Sequence, residues 1–252
     1  FDSHCHLDAP EFDTDRASVL ARARAGGITG QLIPAVDHAG WLKLAGICAG
    51  QPDLHPAYGL HPMYLDRHRP EHLDALPDWI EKHAPAAVGE CGLDFFVEGL
   101  DADRQRFYFR RQLEIARDAG LPVVLHARRA VEETIATIKA VGGLTGVVHS
   151  YPGSEDQARQ LYSLGFCLGI GGPVTFERAN RLRRLVATMP LDFLLLETDA
   201  PDQPGVAQRG QRNEPMYLRE VLAAVAQLRS ESEARIAEAT MANARRLFQL
   251  AS

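Results

Sequence analysis

Leu121-Pro-Val-Val-Leu-His-Ala-Arg128 decides how this chain is read. Residues 122–126 form a short apolar run that ends on a histidine, just after Gly120 closes a long helix-like run at 102–119. A second helix-like run follows at 130–141. Helix, short apolar strand and helix in succession are the mark of a βα repeat and a parallel sheet.

The same rhythm extends in both directions. Strands are expected at 1–6, 30–35, 55–60, 86–91, 122–126, 146–150, 166–170 and 193–197. Helices are expected at 15–25, 39–49, 70–83, 102–119, 130–141, 154–164, 176–189, 214–228 and 231–250. Gly26-Gly27 and Gly120 sit where helix stops belong. Eight strands alternating with helices in 252 residues have the size of an α/β fold of the (β/α)8 TIM barrel class. A doubly wound open sheet is the alternative. No composition break, Ser/Gly linker or low-complexity tract divides the chain, so residues 1–252 are expected to form a single domain.

Composition narrows the class further. Hydrophobic residues make up 46% and charged residues 24% of the chain, as in an ordinary globular protein. Its apolar runs fall far short of the ~20 residues of a membrane span, so no membrane association is expected. No charged-then-apolar leader opens the sequence, which gives no expectation of secretion. The cysteines (Cys5, Cys48, Cys91 and Cys167) are widely spaced with no CxxC pair. That argues against a disulfide framework or thiolate zinc site and suits a reducing cytoplasm. With 27 basic and 33 acidic residues the formal charge is −6, which excludes a broad basic surface for coating nucleic acid.

Residues able to do chemistry gather at the C-terminal ends of the expected strands. His4 and His6, at i and i+2, would project from one face of the first strand. Glu90 ends the fourth strand, His126 the fifth, His149 the sixth and Asp199 the eighth. In a barrel those ends share one face, where active sites are built. Four histidines and two carboxylates brought together would be costly to bury unless they hold metal. Mixed imidazole and carboxylate donors suit Zn, Mn, Fe or Ni, and six exceed what one tetrahedral ion with an open position needs. Two ions roughly 3.5–4 Å apart, sharing a carboxylate, would use the whole set for metal-assisted hydrolysis.

These motifs resemble the TatD family of metal-dependent deoxyribonucleases, within the amidohydrolase-like barrels. The resemblance runs through Ser3-His-Cys-His-Leu-Asp8, Gly59-Leu-His-Pro62, Gly89-Glu-Cys-Gly-Leu-Asp94 and Leu121-Pro-Val-Val-Leu-His126. It continues through His149-Ser-Tyr-Pro-Gly153, Glu197-Thr-Asp-Ala-Pro201, Arg212-Asn-Glu-Pro215 and Asn243-Ala-Arg-Arg-Leu-Phe248. It implies that His4, His6 and Asp199 hold one divalent ion, that Glu90 bridges, and that His126 and His149 hold a second. The ions implied are drawn from Zn, Mn, Mg, Fe and Ni. Asp199 would also orient or deprotonate the attacking water, with Glu90 its catalytic partner. His61, Arg128 and Tyr151 would contact substrate phosphate, and Asp94 and Glu197 would orient ligands. Asn243 and Arg212 would brace the C-terminal helices. Gly92-Leu-Asp-Phe-Phe-Val97 departs from the family pattern, which commonly continues with Tyr and Arg.

The function expected from this resemblance is a monomeric cytoplasmic exonuclease acting on DNA ends. The alternative is an amidohydrolase-type enzyme acting on a small amide, ester or phosphoester, which the acidic balance favours slightly. A non-enzymatic metal-binding module would not need six ligands.

Overall fold

The computed structural model of the chain describes residues 1–250. Seven parallel strands lie side by side in chain order: β1 (Gln31–Pro34), β2 (Leu54–Tyr58), β3 (Ala87–Asp94), β4 (Val123–Arg128), β5 (Gly146–Val148), β6 (Phe166–Ile170) and β7 (Leu194–Leu196). The helices are α1 (Arg16–Ala25), α2 (Trp41–Cys48), α3 (Pro70–His83), α4 (Ala102–Ala119) and α5 (Val131–Val141). They continue as α6 (Glu155–Ser163), α7 (Asn180–Thr188), α8 (Leu218–Arg229) and α9 (Glu233–Phe248). This is the expected α/β barrel-type architecture. No helix among the described residues is long and apolar enough to cross a membrane.

The expected first strand is the main correction. Residues 1–6 form no regular strand; Asp2 makes one parallel bridge to Gln31. The segment nevertheless fills the gap between β1 and β7. On one side Asp2 N donates to Gly30 O, and Cys5 N donates to Leu32 O; on the other Ser3 N donates to Leu196 O. The Asp2 side chain explains why no ladder forms. Its Oδ1 accepts from His4 N at 3.2 Å and from Thr198 N at 3.0 Å, and its Oδ2 from Thr198 Oγ1 at 2.6 Å. A side chain that captures backbone N–H groups competes with the sheet for them. Phe1 stacks against Phe248 at the end of α9 (centroids 6.2 Å apart), which pins the chain start.

Side-chain alternation then builds the barrel in two levels. Leu32, Ala57, Ala87, Val124, Val147, Cys167 and Leu195 form one buried cluster, joined by Leu247 and Phe248 of α9. Alternation places residues two positions on along the same face. Thus Val124 leads to His126, Val147 to His149 and Leu195 to Glu197. The apolar cluster floors the barrel and the polar groups stand above it.

β3 breaks this parity. Val88 pairs with Val123, but Cys91 pairs with Leu125, so β3 carries one extra residue between them. Such a bulge re-aims the side chains around it. It turns Glu90 inward, to the same face as His126. The sheet is tight there: a Cβ on Gly89 would lie 2.8 Å from Val124 O.

Asn243 braces α9 as expected, donating to Leu191 O at 2.8 Å and Leu194 O at 2.9 Å. Arg212 instead ties its loop to the start of α1, pairing with Asp15 at 2.7 Å. Two expected helices are shorter at their starts: residues 176–179 form a bend and turn ahead of α7, and Pro215–Tyr217 form a 3-10 turn ahead of α8.

Truncating Asp2 strands three buried donors. Asp2→Ala should therefore cost about 2–4 kcal/mol of unfolding free energy, read by denaturant titration. A loss below about 0.5 kcal/mol would mean that the side chain does not hold the segment.

Candidate metal centre

Six side chains converge on the Glu90 carboxylate, which is buried to 1% exposure. Its Oε2 lies 3.2 Å from His4 Nε2 and 3.4 Å from His6 Nε2. Its Oε1 lies 2.8 Å from His149 Nε2, 3.0 Å from His61 Nε2 and 3.2 Å from His126 Nδ1. Asp199 Oδ1 joins the first side, 3.4 Å from His4 Nε2 and 3.7 Å from His6 Nε2. All six residues expected to hold metal are therefore neighbours, split between the two oxygens of one carboxylate.

Hydrogen bonds at the far side of the His6, His126 and His61 rings fix which nitrogen faces inward. His6 Nδ1 lies 3.1 Å from the Pro34 carbonyl, which can only accept. Nδ1 therefore carries the proton, and Nε2 turns a lone pair to the centre. His126 Nε2 lies 2.8 Å from Asp94 Oδ2 and donates to it, leaving Nδ1 inward. His61 is different. Its Nδ1 accepts from Met63 N at 3.1 Å, so its neutral ring carries the proton on Nε2 and donates to Glu90. Although its distance would suit a ligand, its tautomer makes it a hydrogen-bond donor.

The residues present fit a cation. The inward nitrogens of His4 and His6 are 3.2 Å apart, and those of His126 and His149 are 3.3 Å apart. Lone pairs that close repel unless a proton or metal lies between them. Glu90 Oε2 and the outer nitrogens of His4 and His149 are buried without hydrogen-bond partners. The side chains alone compensate through protons. Burial opposes ionisation of Glu90, but His149, His61 and His4 outweigh it and hold the carboxyl well below its usual range. Burial likewise opposes charging His149 and His6, yet the carboxylates, Glu90 foremost, push them up to about 10 and about 9.

Supporting groups also take definite places. Asp94 is held at about 2, because His126 and the N–H groups of Val97 and Phe96 outweigh its burial. Glu197 accepts from Ser150 N, and burial pushes it up to about 8. A Cβ on Gly169 would lie 1.9 Å from Glu197 Oε2, so only glycine admits that carboxyl. His149 Nδ1 is 3.8 Å from Glu197, too far for a hydrogen bond.

The centre opens into a cleft of about 940 Å³ whose lining includes His61, Arg128, Asp199 and Gln203. Tyr151 is a correction: it is buried, and its hydroxyl donates to Ser154 O at 2.7 Å, so it has no proton left for substrate. The sequence reading missed Asp2, Thr198 and Gln203, whose amide donates to Asp199 Oδ2. Asp2 stands two residues before His4 and Gln203 four after Asp199; that proximity was the only signal.

Comparison with known proteins places the chain among metal-dependent hydrolases. A family model described as "TatD related DNase" matches residues 1–249. The chain is 37% identical to the "Uncharacterized metal-dependent hydrolase YjjV" of Escherichia coli, covering 99% of this chain and 97% of that one. It is 34% identical to the "3'-5' ssDNA/RNA exonuclease TatD" of Erwinia tasmaniensis, over 99% and 100% of the two chains. The crystal structure of the E. coli YjjV protein superposes with a TM-score of 0.95 at 35% identity, covering 99% of this chain and 98% of that one.

With His6 and His149 pushed to about 9 and about 10, both are protonated at pH 7 and must deprotonate to bind metal. Adding Zn or Mn to metal-free protein at pH 7 should release about two protons per chain, read with an indicator dye in weak buffer. Release should shrink as the starting pH rises above 9. Metal uptake with no proton release at pH 7 would exclude binding through His6 and His149. Asp94→Ala should weaken metal binding by about 10–100-fold.

Proposed function

The chain belongs to the TatD-related DNase family of metal-dependent hydrolases, and on that premise we propose that it is a two-metal phosphodiesterase that removes nucleotides from DNA ends. One observation carries this reading: the two oxygens of Glu90 face adjoining donor sets, His4 and His6 at Oε2 and His126 and His149 at Oε1. His4, His6 and Asp199 would hold one ion and His126 with His149 the other, with Glu90 between them. Bound there, the ions would supply the Lewis acidity that lowers the pKa of a water and offsets phosphate charge.

The chain's own groups do the rest. Asp199 lines the cleft with Oδ2 held by the Gln203 amide, so one carboxylate oxygen is oriented while the group remains open to a water's proton. The Arg128 guanidinium, at the lining of the cleft beside His61, is a donor available to an entering phosphate oxygen, while the His61 Nε2–H is held by Glu90 and keeps that carboxylate in place. Residues 1–252 would act as one catalytic unit, as a monomer. The competing reading, a hydrolase of small amides, esters or phosphoesters, draws on the net charge of −6.

End-labelled single-stranded DNA incubated with the Mn- or Mg-loaded protein should lose terminal nucleotides. Glu90→Ala should lower that rate by at least 10³-fold, since it removes a group shared by both donor sets. Intact DNA ends alongside turnover of small phosphoesters or lactones would give the site to the second reading.

A further inference from the structure

Phe96, in the loop after β3, is 42% exposed despite its size. Two guanidinium groups lie against it: Arg128 Cζ is 3.6 Å and Arg129 Cζ 4.6 Å from the ring centroid. Arg106, Arg110 and Arg212 are each paired with a carboxylate. Among the described residues no carboxylate or hydrogen-bond acceptor engages Arg128 or Arg129. What sets these two apart is that both cations share one ring.

The pair is also built with care. Arg129 has φ 55°, a left-handed conformation that L side chains adopt at a cost. It falls just past β4 and brings the second guanidinium back onto Phe96. The ring in turn is referenced to the metal centre through Asp94. Asp94 Oδ1 accepts from Phe96 N at 2.8 Å and Val97 N at 3.0 Å, while Oδ2 holds His126. Phe95 N donates to Arg128 O, locking the loop to the end of β4. A solvated arginine–aromatic stack would need no such registration. Here Arg128 lines the cleft, and the ring's π face steadies two like charges until an anion neutralises them.

We propose that Arg128 and Arg129, held on Phe96, form a phosphate subsite for a second phosphodiester of the bound strand, one that is not being cleaved. The planar guanidinium forks match phosphate oxygens, which makes them suited to gripping a polynucleotide. The subsite rests on the nuclease reading above and deepens it: the enzyme would prefer a strand with several phosphates over a lone diester.

The test compares single-stranded pentathymidylate with bis(p-nitrophenyl) phosphate, which has one phosphodiester, on Mn-loaded full-length protein. Arg129→Ala should lower the ratio of the two kcat/KM values about tenfold, chiefly through KM for the oligonucleotide. Phe96→Leu should lower it about threefold, and Arg110→Ala, a charge control on α4 paired with Glu114, should leave it in place. An unchanged ratio in Arg129→Ala, or an equal fall on both substrates, overturns the subsite. If the wild type leaves DNA uncut, the nuclease reading fails on its own. The subsite is then decided by fluorescence anisotropy of labelled pentathymidylate in EDTA. Arg129→Ala should bind about tenfold more weakly, with the log–log salt slope shallower by about 0.7. Equal affinity, or no binding by the wild type, overturns it.

Discussion

A carboxylate buried to 1% exposure is the constraint on which this molecule depends. Removing the Glu90 charge from water is tolerable only if opposite charge surrounds it, and the barrel mouth supplies imidazoles on every side. Those imidazoles in turn face one another at distances that demand protons or metal between them. The site is therefore built as a cation receptor.

Each element of the barrel contributes one part of that arrangement. The floor of small and aliphatic side chains sets the height at which the histidines stand. The bulge in β3 rotates Glu90 into the mouth. The N-terminal segment, held on both edges and by Asp2, delivers His4 and His6 without a regular strand. A carbonyl behind His6 and a carboxylate behind His126 choose the tautomers. Loosening any one of these would leave the same residues in the sequence with their donor atoms pointed elsewhere.

Asp94 joins the candidate metal centre to the loop after β3. One of its oxygens orients His126 and the other anchors the loop bearing Phe96. The departure of this loop from the common family pattern thus lies one residue from a group that positions a candidate ligand. The barrel matches the E. coli YjjV structure closely at 35% identity.

The sequence by itself determined the βα rhythm, the barrel class and the identity of the six convergent residues. Apolar runs ending in His or Glu are local patterns, and burying such groups at one end of a sheet has few uses other than metal. It misjudged residues 1–6 because regular pairing depends on neighbours, and the Asp2 side chain takes the N–H groups a ladder would use. Tyr151 lay beside a candidate ligand in sequence, but only packing showed its hydroxyl committed to Ser154 O. The tertiary structure alone decided that Glu90 points inward, since one extra residue in β3 reverses the face that simple alternation assigns. It alone gave His61 its proton on Nε2, through the N–H of Met63. Strand register and hydrogen-bond partners are set by chain segments distant in sequence, so no reading of local pattern could have supplied them.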